Sequence, residues 1–206
     1  MGREEKLEKE LKKELDDDRY THTLGVAYTA ACLAMRYGEK PERAFLAGLL
    51  HDCAKAKNMD HKKMLSLCEK HKIPVTQFEQ ENPVLLHAKL GSFWAKEKYE
   101  VTDEEILSAI RWHTTGHAGM TLLEKIIYIA DYIEPNRKKQ PHLDEVREIC
   151  FRNLDDGLRR ILHDTLFYLN HKKSIDPATQ QTYDYYMEYD SNVQNIQSTE
   201  CNSNDT

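Results

Sequence analysis

An all-α domain is what this sequence predicts, on three observations. Apolar residues recur at three- and four-residue spacing through nearly every segment, and helix caps and stops stand at the segment ends. No stretch alternates apolar and polar residues with the period of a strand. The chain has 206 residues, 40% of them apolar and 31% charged, the size and composition of one globular domain with a substantial core.

The elements follow in order. Leu7, Leu11 and Leu15 make a thin apolar stripe on a highly charged opening helix, which Asp16-Asp17-Asp18 closes. The next helix runs through RYTHTLGVAYTAACLAMRY and stops at Gly38. PERAFLAGLLHDCAK starts with Pro41 in the first turn and turns Phe45, Leu46, Leu49 and Leu50 inward. Residues 58–82 are polar and broken by Pro74, with room for a short helix around Lys62–Lys70. A helix over PVLLHAKLGSFWAKEKY follows Pro83.

Two capping boxes come next. Thr102 with Glu105 is expected to open DEEILSAIRWH, and Thr121 with Glu124 to open LLEKIIYIADYIE, which Pro135 ends. HTTGHAGM between them is a glycine-containing loop. Residues 143–171 read as one last helical stretch, apolar at Val146, Ile149, Cys150, Leu154, Leu158, Ile161, Leu162, Leu166 and Leu169. Beyond 172 the chain is polar, with Tyr183, Tyr185, Tyr186 and Tyr189 clustered, and composition predicts disorder over about the last 15 residues. The organisation expected is a charged N-terminal helix (1–17) packed on a domain spanning 18–172, followed by a polar, partly disordered extension (173–206).

Composition excludes several classes. No window approaches about 18 uncharged apolar residues, so no membrane span is expected. The N-terminus MGREEKLEKE lacks the apolar segment of a secretory leader, and Lys6 breaks a myristoylation signal. Five cysteines without a CxxC pair suit reduced thiols rather than a disulfide frame. A cytoplasmic protein is expected. The net charge of -6 argues against nucleic acid as a partner but leaves room for a small anionic ligand bound through a cation.

Six polar residues sit where apolar ones belong: His22, His51, Asp52, His87, His113 and Asp131. His22 lies one turn before Val26, His87 follows Val84-Leu85-Leu86, and His113 continues the series Ile106, Ile110. Asp131 stands in IIYIADYI, four residues after Ile127. An unpaired buried carboxylate is strongly disfavoured. One such residue could be a hydrogen-bonded core group, His51 a helix cap, or Asp131 the partner of a basic side chain. Six on five helices point to metal coordination, and a thiolate-free set of imidazoles and carboxylates suits zinc, iron or manganese. Neighbouring helical residues point about 100° apart. His51 and Asp52 therefore fit a site of two ions, the carboxylate bridging both. Paired ions about 3.5–4 Å apart commonly hydrolyse phosphoesters and phosphoanhydrides.

The ordered series His22, His51-Asp52, His87, His113, Asp131 resembles the HD-domain superfamily of metal-dependent phosphohydrolases. The finer motifs resemble the YqeK family, in LHDCAK (50–55), HAKLG (87–91), IRWHTTG (110–116) and YIADYIEPNR (128–137). The resemblance covers roughly residues 18–170 and implies an HD-domain helical bundle with a dinuclear metal centre. It further implies a di-iron enzyme, with manganese or zinc as alternatives, that splits diadenosine tetraphosphate symmetrically into two ADP.

Carried onto this sequence, the resemblance gives one ion to His22, His51, Asp52 and Asp131 and the other to His87, His113 and the bridging Asp52. A hydroxide held between the ions would attack a central phosphorus. Lys55, one turn after Asp52, is the first candidate for binding phosphate or protonating the leaving group. Lys89 and Arg137 come next, with Thr114, Thr115 and Gly116 as loop donors, each of these having a plain surface or loop role as its alternative. His117 shares helical spacing with His113, but Gly116 places it beyond the helix end and outside the ligand set. Trp94, Trp112 and Tyr132 are expected in the core, Tyr132 within reach of a ligand. Other readings of the motif are an HD-type nucleotidase or deoxynucleotide triphosphatase, or a nucleotide or metal sensor without turnover. The apolar stripes of the first and last helices allow a homodimer.

Overall fold

The computed structural model describes residues 2–137, 142–172 and 175–188, the side chain of Arg3 excepted. Among these residues there are helices and no strand. In chain order they are α1 (Arg3–Glu14), α2 (Asp17–Tyr37), α3 (Pro41–Leu50), α4 (His61–Lys70) and α5 (Gln77–Glu81). A 3-10 turn (Pro83–Leu85) leads into α6 (Leu86–Glu97), then α7 (Glu104–Trp112), α8 (Leu122–Ile133), α9 (Leu143–Arg152) and α10 (Leu154–Lys172). A further helix, α11, covers 177–188.

The core lies between α2, α3, α7 and α8, where Leu33, Leu49, Leu50, Ile110, Leu123, Ile126 and Ile127 are fully enclosed. The backbones of α2 and α3 meet closely because small residues line the crossing: a Cβ on Gly48 would lie 2.8 Å from Ala27 Cα. A smaller cluster under α4 and α6 buries Ala54, Met64, Cys68, Leu86 and Leu90. Leu7 and Leu11 of α1 and Leu15 just after it are buried against the rest of the chain, so that stripe is not free to join two copies. On α10, by contrast, Phe167 and Tyr168 are exposed. No helix among the described residues is long and apolar enough to cross a membrane.

Local chemistry explains where the elements begin and end. Asp16 caps α2 through Arg19 N at 2.7 Å, and Gly38 ends it in the left-handed conformation at φ 82°. The Thr121–Glu124 capping box opens α8. At α7 the expected Thr102–Glu105 box does not form. Asp103 is the cap, because Arg43 grips its carboxylate through Nε and Nη2 at 2.8 and 3.0 Å, and Glu105 turns to the same guanidinium at 2.6 Å. The stretch 143–171 is two helices, not one. Asn153 is extended and its Oδ1 accepts from the N–H groups of Asp155 and Asp156, which starts α10 afresh. The short α5, with its own Thr76–Glu79 capping box, fills part of the segment read as mostly irregular. Within the extension expected beyond 172, α11 docks on the loop after α7: Tyr186 is buried and its hydroxyl accepts from Met120 N at 2.8 Å. The last 15 or so residues, and Tyr189, lie outside the described residues.

Candidate metal centre

Helix ends set the histidines. His51 and His113 stand at the C-caps of α3 and α7, where carbonyls of the last turn lack helical partners. His51 Nδ1 donates to Gly48 O at 2.6 Å and His113 Nδ1 to Ile110 O at 2.7 Å. His87 does the same with Val84 O in the 3-10 turn. A carbonyl can only accept, so each Nδ1 carries the proton and each Nε2 keeps its lone pair. His22 is in the middle of α2 and has no spare carbonyl. Its Nδ1 is held by Glu134 Oε1 at 3.1 Å, from the buried end of α8.

The four Nε2 atoms therefore turn inward, in two pairs. His22 and His51 bring theirs to 3.3 Å, and His87 and His113 to 3.0 Å. Asp52, fully buried, stands between the pairs. Its Oδ2 is 3.4 Å from His51 Nε2 and 3.9 Å from His22 Nε2, whereas its Oδ1 is 3.4 Å from His87 Nε2 and 3.6 Å from His113 Nε2. Asp131 Oδ1 joins the first pair, 2.9 Å from His22 Nε2 and 3.7 Å from His51 Nε2. Facing lone pairs repel unless something lies between them, and the buried Asp52 Oδ1 has no hydrogen bond. Donor atoms of His22, His51 and Asp131 lie within 4.8 Å of one another, as do those of His51, Asp52 and His113. Inward imidazole nitrogens and an unsatisfied carboxylate oxygen suit a divalent cation.

The charges agree with that reading. Burial pushes the pKa of His51 and, further, of His87 below the ordinary value, so both are neutral and free to donate electrons. Burial opposes ionisation of Asp52, but His51 and Lys55 outweigh it and hold its carboxyl well below the usual range. For Asp131, burial is likewise outweighed by His22 and Arg137. His22 is shifted upward, since Asp131 and Glu134 together exceed the effect of burial.

Three cations stand on these carboxylates. Lys55 Nζ lies 3.0 Å from Asp52 Oδ1, outside hydrogen-bond geometry. Arg137 Nη2 donates to Asp131 Oδ1 at 2.6 Å and its Nε to the Asp131 carbonyl. Arg19 Nη1 donates to Asp52 Oδ2 at 2.7 Å. Thr114 Oγ1 is 3.1 Å from His87 Nε2. The remaining substrate candidates are engaged with other groups of the protein. Lys89 is bound to Glu79 at 2.6 Å and to Pro74 O, the Thr115 hydroxyl donates to Gly116 O, and Gly116 packs on Thr182.

A cleft of about 400 Å³ beside Asp131 and Thr114 is lined by Tyr128, Tyr132, Arg137 and Tyr168. Tyr132 is thus only half-buried, with its side chain at this opening. Trp94 packs on the core, and Trp112 lines a second cleft described below.

Sequence reading passed over Arg19 and Glu134. Arg19 precedes His22 by one helical turn, a spacing that puts both on one face. The sign for Glu134 is Gly25, one turn after His22, where any Cβ would collide with the Glu134 carboxylate. Glu134→Ala is expected to weaken divalent-metal binding about tenfold to a hundredfold by freeing His22 to rotate. Metal titration of the purified variant checks this, and Glu134→Gln, which keeps an acceptor, should lose less.

Comparison with known proteins gives the same picture. The HD domain model matches residues 19–136. A symmetrical bis(5'-nucleosyl)-tetraphosphatase of Bacillus subtilis (strain 168) is 41% identical, over 90% of this chain and 97% of its own length. A second protein of that description, from Halalkalibacterium halodurans, is 38% identical over 84% of this chain and 91% of its own. A crystal structure from Clostridium acetobutylicum, described as a predicted HD superfamily hydrolase involved in NAD metabolism, superposes with a TM-score of 0.85. It is 36% identical and the match covers 90% of this chain and 97% of that one.

Proposed function

The chain belongs to the HD-domain family and, within it, to the YqeK family, and on that premise we propose how its residues act. It is a metal-dependent hydrolase that splits diadenosine tetraphosphate symmetrically into two ADP. The observation that supports the mechanism best is the position of Asp52, one oxygen toward His22 and His51 and the other toward His87 and His113.

We take the centre to hold two ions. His22, His51, Asp131 and Asp52 Oδ2 would hold one, and His87, His113 and Asp52 Oδ1 the other. Such ions supply Lewis acidity and lower the pKa of water toward about 7. Iron is our choice of metal, on the resemblance to YqeK proteins, and the donor set accommodates it. In the reaction the oxygen of water bonds to a central phosphorus. The bond from that phosphorus to the oxygen joining the two halves breaks, and each half departs as ADP.

The chain's own cations bind the phosphates. Arg19, Lys55 and Arg137 contact the same Asp52 and Asp131 oxygens that would hold the ions, so they would be freed from them in the loaded centre. These side chains then turn to the phosphate oxygens, where charge-assisted bonds favour the spread of charge in the transition state. Lys55, nearest to Asp52 Oδ1, is placed to steady or protonate the leaving oxygen. The Thr114 hydroxyl adds a neutral donor at the His87 side.

Product analysis tests the reading. After chelation and resupply of iron, manganese or zinc, ADP should be the sole nucleotide product from diadenosine tetraphosphate, with iron restoring the most activity. AMP with ATP, or release of inorganic phosphate, would sink the symmetrical assignment. Preferential turnover of deoxynucleoside triphosphates would favour the nucleotidase reading.

A further inference from the structure

A second cleft, of about 590 Å³, shares Thr114 with the first. Its walls are α5, the first turns of α6, the end of α7 with the following loop, and the start of α11. Phe78, Leu85, Ala88 and Pro177 supply apolar surface, and Ala178 and Gln181 face them from the C-terminal helix. Its lining carries two cations, Lys89 and Arg111, and two carboxylates, Glu79 and Asp176, with Lys89 paired to Glu79 at 2.6 Å, so the cleft has no surplus positive charge to collect phosphate. Apolar walls with a few polar groups are what a heterocyclic base and its sugar require, and the volume falls in the range of small-molecule sites.

We propose that this cleft binds the second nucleoside of the dinucleoside tetraphosphate, with α11 as the wall that contacts its base. The proposal rests on the tetraphosphatase reading. A substrate cut at its middle must extend equally to both sides of the central bridging oxygen. The first cleft reaches His113 and Asp131 of the metal centre, and the second adjoins it through Thr114, which lines both and stands 3.1 Å from His87 Nε2. The exposed Gln181 carboxamide offers a donor and an acceptor to a base edge. Helix α11 is held rigidly enough for this. Ala178 N bonds to Asp176 Oδ1 at 2.8 Å, Thr182 packs on Gly116, and the Tyr186 hydroxyl takes the Met120 N–H. The polar extension thus becomes part of the substrate site.

The test compares diadenosine tetraphosphate with adenosine 5'-tetraphosphate, which has the same phosphates and one nucleoside, on the metal-loaded full chain. The wild type should favour the dinucleotide in kcat/KM. Ala178→Trp, which fills the cleft, should lower that preference about tenfold, and Gln181→Ala, at an exposed position, about threefold through KM. The ratio of the two substrates does not depend on the fraction of folded protein. Equal ratios in wild type and both variants overturn the proposal, as does a wild type that turns over both substrates equally well. A wild type that turns over neither overturns the tetraphosphatase reading along with it.

Discussion

Asp52→Ala is expected to lower kcat/KM for diadenosine tetraphosphate by at least about 10³-fold, roughly 4 kcal/mol of transition-state stabilisation. The size follows from its position. Each of its oxygens faces a different pair of imidazoles at 3.4–3.9 Å, so one truncation removes a donor from both halves of the centre. It also strips Arg19 and Lys55 of their partner, leaving two cations beside a site that needs to attract another. Metal analysis should accordingly find the variant depleted of metal, with circular dichroism and unfolding showing an intact helical domain. A variant that keeps more than about a tenth of the activity refutes the bridging role.

Gly48→Val is expected to destabilise the domain by about 3 kcal/mol, the upper end of the usual cost of overpacking. For a chain of this length that corresponds to a fall in Tm of about 6–12 °C. The atoms met by a new Cβ are backbone: Ala27 Cα at 2.8 Å and Ala27 N at 3.1 Å. Backbone cannot rotate away as a side chain would, so α2 and α3 must separate. Replacing glycine inside a helix returns at most about 1 kcal/mol of propensity, which does not offset the clash. Separation also moves His22 from His51, whose Nε2 atoms stand 3.3 Å apart across that crossing, so metal binding should weaken with stability. Thermal unfolding decides the matter: a Tm within about 2 °C of wild type would mean that the two helices part at no cost.

The six polar residues of the candidate centre were legible in the chain because each violates a local rule. Asp131 in IIYIADYI and His87 after Val84-Leu85-Leu86 are polar groups on faces that should be apolar, and that violation is written in linear spacing. The nearness of Lys55 to Asp52 was legible from spacing alone, one turn along the chain. The pairing of Lys89 with Glu79 was not, because Glu79 sits on α5, a helix of only five residues. The break at Asn153 escaped notice because the apolar spacing of α9 resumes in α10 almost in phase.

Taken alone, then, the sequence determined the helical class, the ends of most helices and which polar residues stand on otherwise apolar faces. These depend on residue type and on spacings of one to four, which the chain carries locally. Tertiary structure alone decided how those residues are oriented and what surrounds them. Glu134 reaches His22 across 112 positions, and Arg19 reaches Asp52 across 33. Helix α11 closes on Gly116, forming a second cleft that Thr114 also lines. Such pairings are chosen by the packing of whole helices, a long-range sum of burial and close contact that no single stretch of sequence displays.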